Sequence, residues 1–188
     1  NYNKYKKLKF IDLSADFRIK NPNIYYKNYD IKHKAINLIK NSIYSISEFS
    51  EKNIKNYRII SNPGCYPTSI QLPLIPLIKK NLINIKDITI DSKSGFSGAG
   101  KNIKKKFKHK YLYQSIHAYS TKLHKHCCEI DQELTRHTKK KIIYSFNPHL
   151  LPTFRGLLSS IYIYTKKGVS AKILKNTLSR FYKKKSFI

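Results

Sequence analysis

The feature that most constrains this chain is a change of periodicity at residues 57–78. A short β-branched run, YRIIS at 57–61, meets Asn62-Pro63-Gly64 and is followed by Ile70, Leu74, Leu77 and Ile78 at near-helical spacing. Pro and Gly in succession are turn chemistry, so the backbone must pass from strand to helix within a few residues, with Cys65 at the passage. Pro67 suits a first helical turn, where its missing N–H is not needed. Pro73 and Pro76 lie deeper, and a kink or break is expected there.

Around this passage the pattern alternates between strand and helix. Residues 8–13 (LKFIDL) read as a strand, and a looser region rich in Tyr and Asn follows to about residue 56, with a short helix near residues 34–39. Ile88 and Ile90 alternate with polar residues before SGFSGAG at 94–100, as a strand running into a turn would. A helix is predicted to start near Glu129, strands at 142–146 and 158–164, and a last helix capped by Ser170 with Ile173, Leu174, Leu178 and Phe181 on one face. This mixture, with a Cys at a strand-to-helix turn, indicates an α/β or α+β layout of the kind enzymes use.

At 188 residues with 40% hydrophobic residues, the chain can bury one substantial core or parts of two. No apolar run reaches the roughly 20 residues of a membrane span, and the first residues lack the apolar core of a secretory signal. Cys127 and Cys128 are adjacent and Cys65 is far away, a poor disulfide framework, so a reducing, cytoplasmic setting is expected. The net charge of +28 flags nucleic-acid binding, but the excess is dispersed Lys with little Arg. Abundant Lys, Asn, Ile, Tyr and Phe point instead to compositional drift on solvated surfaces, and a nucleic-acid partner is not expected.

Four groups of residues could carry chemistry. Cys65, between a Pro-Gly turn and a helix start, would lie near unpaired amides and the positive end of the helix dipole, which favours a thiolate able to attack acyl carbons. A buried Cys acting as a small hydrophobe is the competing reading. HKHCCEI supplies His124 and His126, either of which could exchange a proton with that thiol or with a forming oxyanion. Zinc fits this segment badly, because adjacent Cys127 and Cys128 rarely share a metal, and no metal is expected. In KSGFSGAGK, Gly95, Gly98 and Gly100 let the backbone approach an anion or a flat ring closely, with Lys93 and Lys101 beside them, although an ordinary turn would look the same. Arg18 and Arg155 stand out where arginine is scarce, since guanidinium matches phosphate or carboxylate; each could equally form a surface ion pair.

The ordered segments FIDLSADFR, SNPGCYPTSIQLPLIPLI, IDSKSGFSGAGK, AYSTKLHKHCCEIDQEL and FNPHLLPTFRGLLSSIY resemble the N-acetyl-gamma-glutamyl-phosphate reductase family of arginine biosynthesis over nearly the whole chain. The resemblance implies residues 1–62 as the C-terminal part of an NADP-binding Rossmann domain. It implies residues 63–188 as an incomplete catalytic and dimerisation α+β domain, similar to the C-terminal domain of glyceraldehyde-3-phosphate dehydrogenase. It further implies a homo-oligomer that reduces an acyl phosphate to a semialdehyde with NADP(H). Cys65 would carry the thioester, and His124 or His126 would be the acid/base, with His124 favoured. Arg18, Arg155 and Glu48 would bind substrate, and Ser94, Gly95, Ser97 and Gly98 would approach the nicotinamide. A related acyl-phosphate reductase for an aspartyl or aminoadipyl substrate, or a decayed inactive homologue, are the alternatives. No Gly-rich phosphate turn precedes Phe10, and the far C-terminal segment is missing, so this chain alone is expected to bind NADPH weakly.

Overall fold

The computed structural model describes residues 2–50, 54–99, 114–121 and 123–188. They form two compact units, Asn1–Gly64 with Lys185–Ile188, and Cys65–Lys184.

In the first unit, β1 (Phe10–Asp12), β2 (Ser42–Tyr44) and β3 (Ile59–Ser61) make a parallel sheet in the order β1-β3-β2. Parallel neighbours require crossovers, and these hold α1 (Pro22–Tyr29), a 3-10 turn at Ile36–Asn41 and the short α2 (Ser47–Ser50). The supposedly loose region after residue 13 is therefore ordered. Asn21 caps α1, its Oδ1 accepting from the amides of Asn23 at 2.9 Å and Ile24 at 3.3 Å, and Pro22 occupies the first turn. Only Tyr25 of α1 is buried, so the helix lacks the apolar stripe that would reveal it. The helix expected at 34–39 is a 3-10 turn instead.

The second unit is a mixed sheet in the order β5-β6-β4-β7, from β4 (Ile83–Gly95), β5 (His117–Ala118), β6 (Tyr144–Leu151) and β7 (Leu157–Thr165). β4 pairs parallel with β6 and antiparallel with β7, so β4 is central and its Ile88 and Ile90 are fully covered. Helices α3 (Cys65–Lys79), α4 (Cys127–Thr138) and α5 (Ala171–Tyr182) complete it. Ile70, Leu74 and Ile75 of α3 and Ile130 and Leu134 of α4 are buried with those strand residues, each contributing roughly 2 kcal/mol by removal from water. Three serine hydroxyls tie α3 to the sheet: Ser159 Oγ lies 2.7 Å from Ser69 Oγ and 2.6 Å from Ser92 Oγ.

Helix α3 runs unbroken through Pro73 and Pro76, against the expected break. Pro76 cannot donate to the Leu72 carbonyl; the Tyr182 hydroxyl donates to it instead, at 2.6 Å. Ser170 caps α5 as expected, but Ile173 is exposed, and the buried side of that helix is set by Leu174, Leu178 and Phe181, which are half-buried. Among the described residues no helix is long and apolar enough to cross a membrane.

Candidate active site

Cys65 is the first residue of α3 and is exposed; among the described residues no disulfide forms. The helix that Pro63-Gly64 sets going thus presents its leading amides and a reachable sulfur together. The next residue, Tyr66, is 2% exposed and points the other way, into a cluster of rings. Tyr66 meets His124 edge-on at 5.5 Å, His126 at 6.0 Å and Phe146 at 5.3 Å. Tyr119 meets His124 at 5.6 Å and its hydroxyl donates to that of Tyr66 at 3.0 Å. Ser94 hydrogen-bonds the same Tyr66 hydroxyl. Burial, then the bond from Tyr119, and after these the charge of the Cys65 sulfur hold the Tyr66 hydroxyl well above the usual phenol range. Burial likewise raises Tyr119, with the Cys65 charge adding to it. Both phenols therefore feel the sulfur, both touch His124, and both stay protonated donors.

His124 and His126, separated by 4.7 Å between ring centres, are both buried. The His126 amide donates to Nδ1 of His124 at 3.1 Å, so in the neutral ring the proton of His124 sits on Nε2. Burial first, and the neighbouring Lys125 charge second, lower the His124 pKa to about 4. At neutral pH His124 is thus an uncharged Nε2–H donor. His126 Nε2 lies 4.0 Å from Oε1 of the fully buried Glu129.

Of the Gly-rich segment, Ser94 and Gly95 end β4 and residues 96–99 form a 3-10 turn rather than an open loop; Gly100 and Lys101 lie outside the described residues. Ser94 is buried, while Ser97 and Gly98 are exposed. A Cβ on Gly95 would stand 2.9 Å from the backbone of Arg155, and one on Gly98 2.7 Å from Ser94 Oγ. Three amides, of Gly95, Phe96 and Ser97, donate to the carbonyls of Gly156, Thr153 and Phe154 at 2.9 to 3.0 Å. This seam fixes the turn bearing Arg155, whose exposed guanidinium lies over Phe154 at 5.4 Å.

Arg18 and Glu48 belong to the first unit. Arg18 is 9% exposed, and its Nε and Nη2 donate to the carbonyls of Asn62 at 2.8 Å and Leu13 at 3.0 Å, joining the ends of β1 and β3. Glu48 Oε2 accepts from Ser47 Oγ at 2.9 Å. Cys127 and Cys128 are not activated: burial raises both, Cys128 to about 12, and its thiol donates to the Lys125 carbonyl at 3.0 Å. Tyr66, Tyr119 and Phe146 escape sequence reasoning, although Tyr66 adjoins Cys65 and Tyr119 lies just upstream of His124.

A helix headed by an exposed cysteine, beside a mixed sheet and a His pair, defines a class, and the sequence pattern of the semialdehyde dehydrogenase dimerisation domain matches residues 65–188. The chain belongs to that family. Within it, the chain is similar to N-acetyl-gamma-glutamyl-phosphate reductase of Afipia carboxidovorans, 41% identical over 96% of this chain and 51% of the relative. It is 39% identical over its full length to the Campylobacter jejuni reductase, covering 55% of it. A probable chloroplastic reductase of Arabidopsis thaliana is 42% identical over 96% of this chain and 45% of its own. The chain spans about half the length of these curated relatives. In fold it matches aspartate semialdehyde dehydrogenase II of Vibrio cholerae, with TM-score 0.60, 16% identity, and 95% of this chain and 57% of the other covered. The Francisella tularensis enzyme gives TM-score 0.62 at 12% identity, over 92% and 56%.

Proposed function

We propose that this chain carries the acyl-transfer centre of an NADP(H)-dependent N-acetyl-gamma-glutamyl-phosphate reductase. The observation that carries the reading is the exposed Cys65 at the start of α3, electrostatically coupled to Tyr66 and Tyr119, which both pack on His124. The Cys65 thiolate attacks the acyl carbon; the carbon–sulfur bond forms, the carbon–oxygen bond to phosphate breaks, and phosphate leaves with the electron pair. The developing oxyanion takes a hydrogen bond from the neutral His124 Nε2–H or from amides at the head of α3. Arg155, exposed on its pinned turn, is suited to hold the departing phosphate or a substrate carboxylate.

In this reading Ser97 and Gly98, exposed just past the buried Ser94 at the end of β4, would meet the nicotinamide end of NADP(H). Bound there, NADPH would supply the hydride that converts the thioester to the semialdehyde. The three-glycine dinucleotide fingerprint does not occur among the 188 residues, so the hold of this chain on the phosphates is weak. We place the protein in a reducing compartment, the cytoplasm, as a homo-oligomer, a state supported by the family to which it belongs.

The test separates acylation from reduction. The chain is exposed to N-acetyl-gamma-glutamyl phosphate without cofactor, and Cys65 is examined by mass spectrometry for an acyl group that neutral hydroxylamine removes. Hydroxylamine distinguishes a thioester from the amides that acyl phosphates form on lysine. A labile group on Cys65 that is lost in Cys65→Ser is the expected result; labile acylation that persists in Cys65→Ser rejects the nucleophile.

A further inference from the structure

At the opposite end of α3 from Cys65 the second unit has a cleft of about 660 Å³, formed by the ends of α3, α4 and β7 and the beginning of β4. Five lysines line it, Lys79, Lys86, Lys140, Lys166 and Lys167, together with His137, and no Asp or Glu does. Fourteen helical steps from Cys65 to Lys79 put it roughly 21 Å from the nucleophile at ~1.5 Å per residue. We propose that this cleft binds a compact polyphosphate anion.

A chain of net charge +28 shows lysine everywhere, so the site must differ from its background, and it does in three ways. It is concave, and its size lies within the range of small-molecule pockets. Its cations come from separate elements. Lys79 and His137 lie in the last turns of α3 and α4, where positive charge offsets the helix dipole, but Lys86 comes from β4 and Lys166 and Lys167 from the turn that follows β7, where no dipole calls for them. The pairing of β4 with β7 is irregular between Ile83 and Ile88, the stretch that carries Lys86, and Lys166 Nζ donates to Asn81 Oδ1 at 2.6 Å. The cations also crowd one another. Burial, then Arg136, Lys79 and Lys139, push His137 down to about 4; burial and then Arg136 lower Lys79. The nearby carboxylate of Glu133 pairs with Arg136 at 2.5 Å.

The lining defines the chemistry. Lysine ammoniums are compact charges suited to phosphate oxygens, and the apolar residues are Ile78, Ile83 and Ile85, with no Phe, Tyr or Trp to stack a base. Recognition is therefore of phosphates.

Calorimetry of the 188-residue chain with tripolyphosphate, at about 0.15 M salt to screen diffuse attraction, tests this. One anion per chain is expected, bound at least about tenfold more weakly by K86Q/K166Q/K167Q. A control with equal charge, K172Q/K175Q/K183Q on and beside α5, should bind as wild type; all six lysines are exposed. ATP binding as well as tripolyphosphate would assign the site to a nucleotide tail, and ATP binding more weakly to free polyphosphate; both support it. An independent reading comes from the His137 ring protons, whose titration midpoint should rise from about 4 with saturating anion. Equal loss in the two variants, several anions per chain, a single-stranded oligonucleotide weakened equally by both, or an unmoved His137 midpoint would each overturn the proposal.

Discussion

At the residue scale, the candidate site holds a buried imidazole that resists protonation. With a folded-state pKa of about 4 against an ordinary 6.5, His124 takes up its proton more readily in the unfolded chain. Its depressed value therefore removes stability as pH falls from about 6.5 to about 4, and changes nothing above. The loss is on the order of 3 kcal/mol at 1.36 kcal/mol per unit. Urea midpoints of wild type should fall across this window, and His124→Asn, which keeps an acceptor for the His126 amide, should show a smaller fall, with the part due to His137 remaining. A slope unchanged in the variant would refute the assignment. Beside it, Tyr66→Phe removes the acceptor of the half-buried Tyr119 hydroxyl and should cost about 1 kcal/mol in urea unfolding, with a slower Cys65 acylation. Cys65, His124 and His126 were legible because their side chains are rare here and fall in ordered motifs. Tyr66 and Tyr119 were not, since a residue type present 15 times carries no local signal. Arg18 is legible as unusual but not in its use, because its carbonyl partners lie up to 44 positions away.

At the scale of elements, α3 shows how a local rule is overridden at a distance. Pro76 deprives Leu72 of its intrahelical donor, and Tyr182, 110 positions further along, replaces it. No window around residues 65–79 contains that information, so a break was the reasonable expectation. Tyr182→Phe should destabilise the protein by about 1 kcal/mol, and by clearly less in a Pro76→Ala background, where the helix supplies its own donor. Additive costs in the double-mutant cycle would show that the hydroxyl does not compensate for the proline. Gly95→Ala belongs to the same scale: its methyl would press on the Arg155 backbone at 2.9 Å, displacing the turn at a cost of about 1–3 kcal/mol. Fluorescence of a label beside Arg155 should then shift while α3 keeps its protection from hydrogen exchange. Strands with strict alternation, such as 158–164, were read closely, whereas α1 was missed because capping without an apolar stripe says where a helix can start but not that one forms.

At the scale of the whole molecule, the mixed sheet of the second unit has helices to satisfy one face and leaves large residues on the other. Alternation along β7 sends Ser159 and Ile161 inward, and Leu158, Tyr162 and Tyr164 outward at 61, 62 and 67% exposure. Across the strand pair, Thr89 stands opposite Tyr162, Lys93 opposite Leu158 and Asp91 opposite Ser160, with Asp91 in contact with Lys93 and His149. Apolar and aromatic residues gathered around these charged groups make a surface that water covers poorly and that is suited to a second copy. A twofold pairing through this face would meet the proposed homo-oligomer, and a stable dimer needs about 800 Å² from each partner. Leu158→Asp with Tyr162→Asp should convert a dimer to a monomer in sedimentation equilibrium while circular dichroism is unchanged, because both side chains are exposed in the single chain. Ile173→Asp, also at an exposed apolar residue but on α5, should leave the mass alone. Dissociation by Ile173→Asp, or a dimer that survives the double change, would move the interface away from the sheet and leave those tyrosines to another partner.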